Sequence, residues 1–191
     1  MNKDDRKRIE FEKLEDRVCL TVSAIMAEAG ILSVTGNADG GVQIVGSDTG
    51  ISVRDDGILI GEFEQVQRIE ILMDMTRGIV NDDKVHISLN NQSVDRVFAF
   101  LGHGENVFDV SGDEPVGEIA FVGGFDNDTF TVDAIVQRAI VAIMRDGNDV
   151  VNVDGSMNWL HVDGGQGDDT VNIAPGTVCL LYTSPSPRYE D

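Results

Sequence analysis

The chain of 191 residues is short of basic side chains, cysteine, histidine, proline and long apolar runs, and each shortage excludes something. Fourteen Lys and Arg face 34 Asp and Glu, giving a formal net charge of -20. A chain so charged repels phosphate backbones and anionic head groups, so nucleic acid and membrane surfaces are excluded as partners and cations are favoured. The two cysteines, Cys19 and Cys179, stand near opposite ends with no Cys or His at metal-ligand spacing, which excludes a disulfide framework and a zinc site. The longest uncharged apolar stretch, VCLTVSAIMA at 18 to 27, is about half of what a membrane-spanning helix needs. His86, His103 and His161 are scattered, and between residues 78 and 176 the Lys and Arg are Lys84, Arg96, Arg138 and Arg145, at no common repeat position. No Ser/His/Asp or Cys/His set stands out, and no basic cluster suits an anionic sugar. An enzyme is therefore not expected.

Hydrophobic residues, at 41%, are present in sufficient number for one core or one elongated repeat array. The repeat is visible when the chain is aligned on an acidic turn: GIVNDDKVH (78 to 86), LGHGENVFD (101 to 109), GGFDNDTFT (123 to 131), MRDGNDVVN (144 to 152) and GGQGDDTVN (164 to 172). The sixth position reads Asp83, Asn106, Asp128, Asp149 and Asp169, at intervals of 23, 22, 21 and 20 residues. The fourth holds Asn81, Gly104, Asp126, Gly147 and Gly167, the residue types that best tolerate a left-handed backbone. The eighth holds Val85, Phe108, Phe130, Val151 and Val171, always large and apolar.

After each turn an apolar/polar alternation predicts a strand with Val85/Ile87, Phe108/Val110, Phe130/Val132, Val151/Val153 and Val171/Ile173 inward. Before each turn runs a second apolar segment: IEILM, VFAFL, EIAFV, AIVAIM or NWLHV. The expected fold is all-β, a parallel β-solenoid with about two strands per 20-23-residue coil, constrained turns on one edge and variable connections on the other. Upstream, NADGGVQI at 37 to 44 reads as a degenerate copy aligned on Gly41, with room for a further coil around ISVRDDGILIGEFE. The second strands are apolar on both faces. Phe98, Phe100, Val122, Val141, Ile143 and Trp159 lie opposite the inward set, forming either a partner-binding patch or a face that is itself covered.

GGQGDDTVN fills every defined position of the calcium-binding nonapeptide of repeats-in-toxin (RTX) proteins, which the other copies match in part, so the chain resembles that family. The resemblance implies bound Ca²⁺ as cofactor, with Asp126, Asp128, Gly147, Asp149, Gly165, Gly167 and Asp169 as the metal-site residues: glycines shape the turn and carboxylates supply hard oxygen donors. Stacked at about 4.8 Å, neighbouring carboxylates would repel by roughly 1 kcal/mol in water and about 3 to 4 at an effective dielectric of 20. The alternative is that Asp and Asn are turn formers bonded to main chain, with no metal.

At the N-terminus, FEKLEDRVCLTVSA resembles the F-E-x-L-E-x-R motif at the start of many planctomycete-type exported and surface proteins, here at Phe11, Glu12, Leu14, Glu15, Arg17 and Leu20. That likeness implies export or surface display. The final CLLYTSPSPRYED contains two of the four prolines and resembles a translated adapter read-through. The expected organisation is a targeting segment at 1-29, a solenoid domain at 30-177 and a non-native tail at 178-191. The functional expectation is a non-catalytic, calcium-binding module of a secreted or cell-surface protein, meeting calcium ions and cell-surface or matrix components. Two alternatives stand beside it: a fragment of an extracellular β-helix polysaccharide lyase or hydrolase, and a metal-independent adhesin scaffold.

Overall fold

A computed structural model describes residues 22–27, 30–38, 40–73, 81–175 and 180–184, the last for backbone alone. Strand makes up 67% of the chain, and the coils stack into a parallel β-solenoid of about four regular turns some 22 residues apart. One stack of strands is β3 (Val42–Ser47), β7 (Lys84–Ser88), the first half of β9 (Val107–Val122), the first half of β10 (Thr129–Ile143), β11 (Val150–Val153) and β13 (Thr170–Ile173). The other is β2 (Ile31–Gly36), β6 (Arg68–Met73), β8 (Val94–Phe100), the second halves of β9 and β10, β12 (Ser156–Asp163) and β14 (Leu180–Ser184). Neighbours within each stack are parallel.

Register follows the repeat. Val85 pairs beside Phe108, Phe108 beside Phe130, Phe130 beside Val151 and Val151 beside Val171, so the eighth positions form one column. Facing it from the second stack are Ile69, Val97, Ile119, Phe121, Ile140 and Leu160, all fully buried. Phe108 and Phe130 stack with ring centroids 5.5 Å apart, and Phe121 closes on them from the opposite sheet at 5.4 and 5.1 Å. A core of this kind runs along the axis, and period-2 alternation puts a side chain into it from every coil.

Three expectations change. First, the connections opposite the turns are not loops in the middle coils: β9 and β10 run unbroken through both stacks, and the extra residues are absorbed as irregularities between Ala134 and Val136 and between Val136 and Ala139. A bulge bends a strand without ending its pairing, which is why length varies there without disturbing the stack. Second, ISVRDDGILIGEFE makes no coil. It forms β4 (Gly50–Asp55), antiparallel to β3, and β5 (Ile58–Phe63), antiparallel to β4, so that β3, β4 and β5 make an antiparallel meander. The cause is local: Asp56 and Gly57 both take positive φ, 49° and 76°, the two-residue turn that reverses a strand onto itself. Third, the upstream copy aligns on Ala38 in place of Gly41, because Lys84 donates to the carbonyl of Ala38 as later coils do to their sixth positions.

β1 (Val22–Ala27) pairs antiparallel with β2 and touches β5. The N-terminal end of the solenoid is thereby closed by antiparallel strands on both stacks. Residues 1–21 and 28–29 of the expected targeting segment, residues 176–179 and 185–191 near the C-terminus, and Gly78 of the first repeat lie outside the described residues.

Candidate functional site

The acidic turns lie at the edge where one stack passes to the other, and there the main chain meets a geometric problem. Parallel strands satisfy each other's N–H and C=O groups, but a tight turn rotates some N–H groups away from the neighbouring carbonyl, and a buried amide needs an acceptor. The sixth-position side chain supplies it from the next coil. Ala38 N–H donates to Asp83 Oδ1 at 2.5 Å, Asp83 N–H to Asn106 Oδ1 at 3.0 Å and Asn106 N–H to Asp128 Oδ1 at 2.9 Å. Asp128 N–H then donates to Asp149 Oδ1 at 2.7 Å, and Asp149 N–H to Asp169 Oδ1 at 3.1 Å. Main-chain carbonyls at the same positions accept from the seventh residue of the next coil, as Val107 does to Asp83 and Thr129 to Asn106. The result is one continuous inner ladder. Asp83, Asn106, Asp128 and Asp149 are all buried within it.

A second ladder runs outside the first and in the opposite sense. At the fifth position Glu105 N–H donates back to Asp82 Oδ1, Asn148 N–H to Asn127 Oδ1 and Asp168 N–H to Asn148 Oδ1, at 2.8 to 2.9 Å. Sequence reading passed over this row. Its signal was present in the unbroken run of acceptors Asp82, Glu105, Asn127, Asn148 and Asp168.

The glycines of the repeat have two separate jobs. Gly104, Gly147 and Gly167 take φ of 110°, 138° and 133°, as the fourth position was expected to. A Cβ on Gly104 or Gly167 would also overlap the main-chain oxygen of the preceding coil, that of Asn81 or Gly147. Asp126 does not adopt positive φ; its Oδ2 accepts from Gly104 N–H at 3.1 Å instead. The leading glycines Gly123 and Gly164 leave room for a carboxylate, since a Cβ at either would overlap Oδ2 of Asp128 or Asp169. Gly165 takes φ 83° where Arg145, one coil earlier, holds φ 78°, a conformation that strains a residue with a side chain.

Burial decides the electrostatics. It raises the Asp128 carboxyl above its usual range, against hydrogen bonds from Gly124 and Asn106 that pull it down. Asp149 is pushed up to about 7, first by burial and then by the like charges of Asp128, Asp169 and Asp146, with the Asp128 N–H opposing. Asp128 Oδ2 accepts from Gly124 N–H at 2.7 Å. Asp149 Oδ2 is buried and has no hydrogen-bond partner among the described residues.

These geometries test the calcium expectation. The structure brings Asp128, Asp149 and Asp169 into one column, as the sequence implied, but their Oδ1 atoms accept main-chain N–H groups. Among the described residues no three His, Cys, Asp or Glu side chains converge to hold an ion. Calcium requires six to eight oxygens around one point. Asp126, Asp128, Gly147, Asp149, Gly165, Gly167 and Asp169 lie along this one turn column, where main chain engages Oδ1 of Asp128, Asp149 and Asp169 and the buried Oδ2 of Asp149 has no hydrogen-bond partner among the described residues.

Two other places on the surface gather polar or aromatic side chains. An open cleft of about 300 Å³ is lined by Gln67, Ser93, Asp95, Gly117 and Gln137. Ser93 Oγ donates to the Pro115 carbonyl, and Arg138 reaches over side-chain-free Gly117 to bond both the carboxylate and the carbonyl of Asp95. That hydrogen bond, followed by the Arg138 charge, holds the Asp95 carboxyl below its usual range. The second place is the outer face of the second stack. Phe98, Phe100, Val122 and Val141 are half-buried there and Ile143 and Trp159 exposed. Arg96 lies over the Phe98 ring and Arg145 over Phe100, at 5.9 and 5.4 Å, while Trp159 stacks on His161 at 5.7 Å.

A scan against protein-family models, a search of curated proteins and a search of solved structures each return no match to this chain.

Proposed function

We propose that the chain is a non-catalytic structural module of a secreted or cell-surface protein: a β-solenoid that holds a flat apolar and aromatic face toward a partner. The observation that carries this reading is the double turn ladder, in which consecutive coils satisfy each other's turn amides with side chains and so lock into one register. A body locked in this way suits spacing and display. The outer face of the second stack supplies the surface to display, with aromatic rings and apolar side chains in adjacent coils under two guanidinium groups. The N-terminal export-like motif supports placement outside the cell.

On this reading folding needs no metal, because the sixth-position turn amides already find acceptors in the next coil. The full chain is expected to give the same β-type circular dichroism spectrum and the same melting temperature in chelator, in calcium and in magnesium at matched ionic strength. A chain that is disordered in chelator and folds only with calcium would overturn this and restore calcium-coupled folding.

A further inference from the structure

We propose that the cleft at the edge opposite the acidic turns is a saccharide subsite, in which Gln67, Ser93, Asp95 and Gln137 hydrogen-bond the hydroxyl groups of a neutral oligosaccharide. It rests on the display-module reading above and gives the displayed partner a chemistry.

The walls of the cleft are fixed before any ligand arrives. Its polar residues come from four successive coils: Gln67 just before β6, Ser93 and Asp95 around the start of β8, Gly117 within β9 and Gln137 within β10. Asp95 N–H donates to the Gln67 carbonyl at 2.7 Å, and Gln67 N–H to the Gly30 carbonyl at 2.8 Å. Arg138 holds the Asp95 carboxylate at 2.9 Å and its carbonyl at 2.8 Å, crossing Gly117, where a Cβ would stand 2.3 Å from that carbonyl oxygen. Buried Val66 and Val94 add apolar lining.

The hydrogen-bonding groups left over set the ligand class. Elsewhere on this edge the chain uses its own amides: Gln92 Nε2 donates to the Ser47 carbonyl at 2.6 Å, and Asn158 Nδ2 to the Gln137 carbonyl. The exposed carboxamides of Gln67 and Gln137 engage no partner among the described residues. Each offers both donors and an acceptor, while Ser93 Oγ, which gives its hydrogen to the Pro115 carbonyl, keeps lone pairs free. Asp95 is a further acceptor, its charge met by Arg138 and, at 3.8 Å, by Arg68. Donors and acceptors interleaved in this way match hydroxyl groups, which do both.

Charge then selects a neutral ligand. The net charge of -20 repels a polyanion, while Arg68 and Arg138 beside the cleft oppose a cation. At about 300 Å³ the cleft stands at the small end of ligand pockets and is open, so it takes one unit of a longer chain. Register joins it to the outer face of the second stack: Arg68 pairs beside Arg96, Arg96 beside Glu118, Glu118 beside Ala139 and Ala139 beside Trp159.

The test is an NMR titration of the full chain with neutral hexasaccharides of glucose, mannose and xylose, and with a hexamer of galacturonate as the charged counterpart. The expected result is saturable binding of a neutral probe that shifts the side-chain amide signals of Gln67 and Gln137, is indifferent to sodium chloride and exceeds any binding of galacturonate. Gln67→Ala and Gln137→Ala remove exposed side chains and should leave the melting temperature unchanged. Each should weaken binding about tenfold, the loss of one or two neutral hydrogen bonds. Absence of binding by every neutral probe, preference for galacturonate, or unaltered affinity in both glutamine variants would overturn the proposal. Binding lost in Trp159→Ala and kept in the glutamine variants places the sugar on the outer face, which overturns the cleft and leaves the display reading standing. Shortening of a bound probe overturns the non-catalytic reading alone, because the cleft would still hold the sugar.

Discussion

At the residue scale the turn glycines are the most exacting positions, because conformation and crowding act on the same atom. Gly167 has φ 133° and faces the Gly147 carbonyl, whereas Gly57, at φ 76°, has nothing near its missing Cβ. Gly57→Ala therefore meets backbone strain alone, worth about 1 kcal/mol, while Gly167→Ala adds a main-chain collision and should cost about 3 kcal/mol or more. Urea unfolding of the two variants measures the difference. Much of this was legible in the sequence, since a fourth position restricted to Gly, Asn and Asp implies an unusual backbone. The direction of the Asx side chains was not. A turn former that bonds its own backbone and one that bonds the next coil have the same composition, and only the vertical register tells them apart. The Arg138 contact to Asp95 was likewise hidden, because it spans 43 residues and passes over a coil whose contribution is the bare Gly117.

At the scale of the element, the strands were readable because period-2 alternation and a 20 to 23-residue interval agree in every late coil. The β3 to β5 meander is harder to tell from sequence, because its alternating runs also fit the solenoid rhythm on either side, although Asp56-Gly57 between two such runs is a strong hairpin signal. Within the regular coils the three phenylalanines carry the axis. Phe130 is fully buried between Phe108 and Phe121. Phe130→Ala should cost about 3 to 5 kcal/mol, and the loss should appear as a single cooperative shift of the unfolding midpoint, because the ring contacts both stacks. Phe125, at 54% exposure on a turn, stacks on His103 outside the core; Phe125→Ala should leave that midpoint nearly unchanged. The same denaturation series compares them.

For the whole molecule the governing quantity is a charge of -20 on one chain. Self-repulsion favours expansion, and mobile ions screen it. Melting temperature is expected to rise with added sodium chloride, and calcium to act no more strongly than the same ionic strength of a monovalent salt if the turns are self-sufficient. A calcium effect saturating at low concentration would contradict that reading.

The inner ladder also has an order in time. Each sixth-position amide donates toward a side chain that lies 20 to 23 residues later, except at Ala38, where the meander stretches the interval to 45. A chain emerging from a ribosome or a secretion pore with its N-terminus leading presents the β1 to β5 cap first, and every coil laid down after it completes the hydrogen bonding of the one before. At each moment the unfinished amide belongs to the newest coil alone, so the solenoid is built for assembly in the direction of synthesis, like a zip closed from its fixed end.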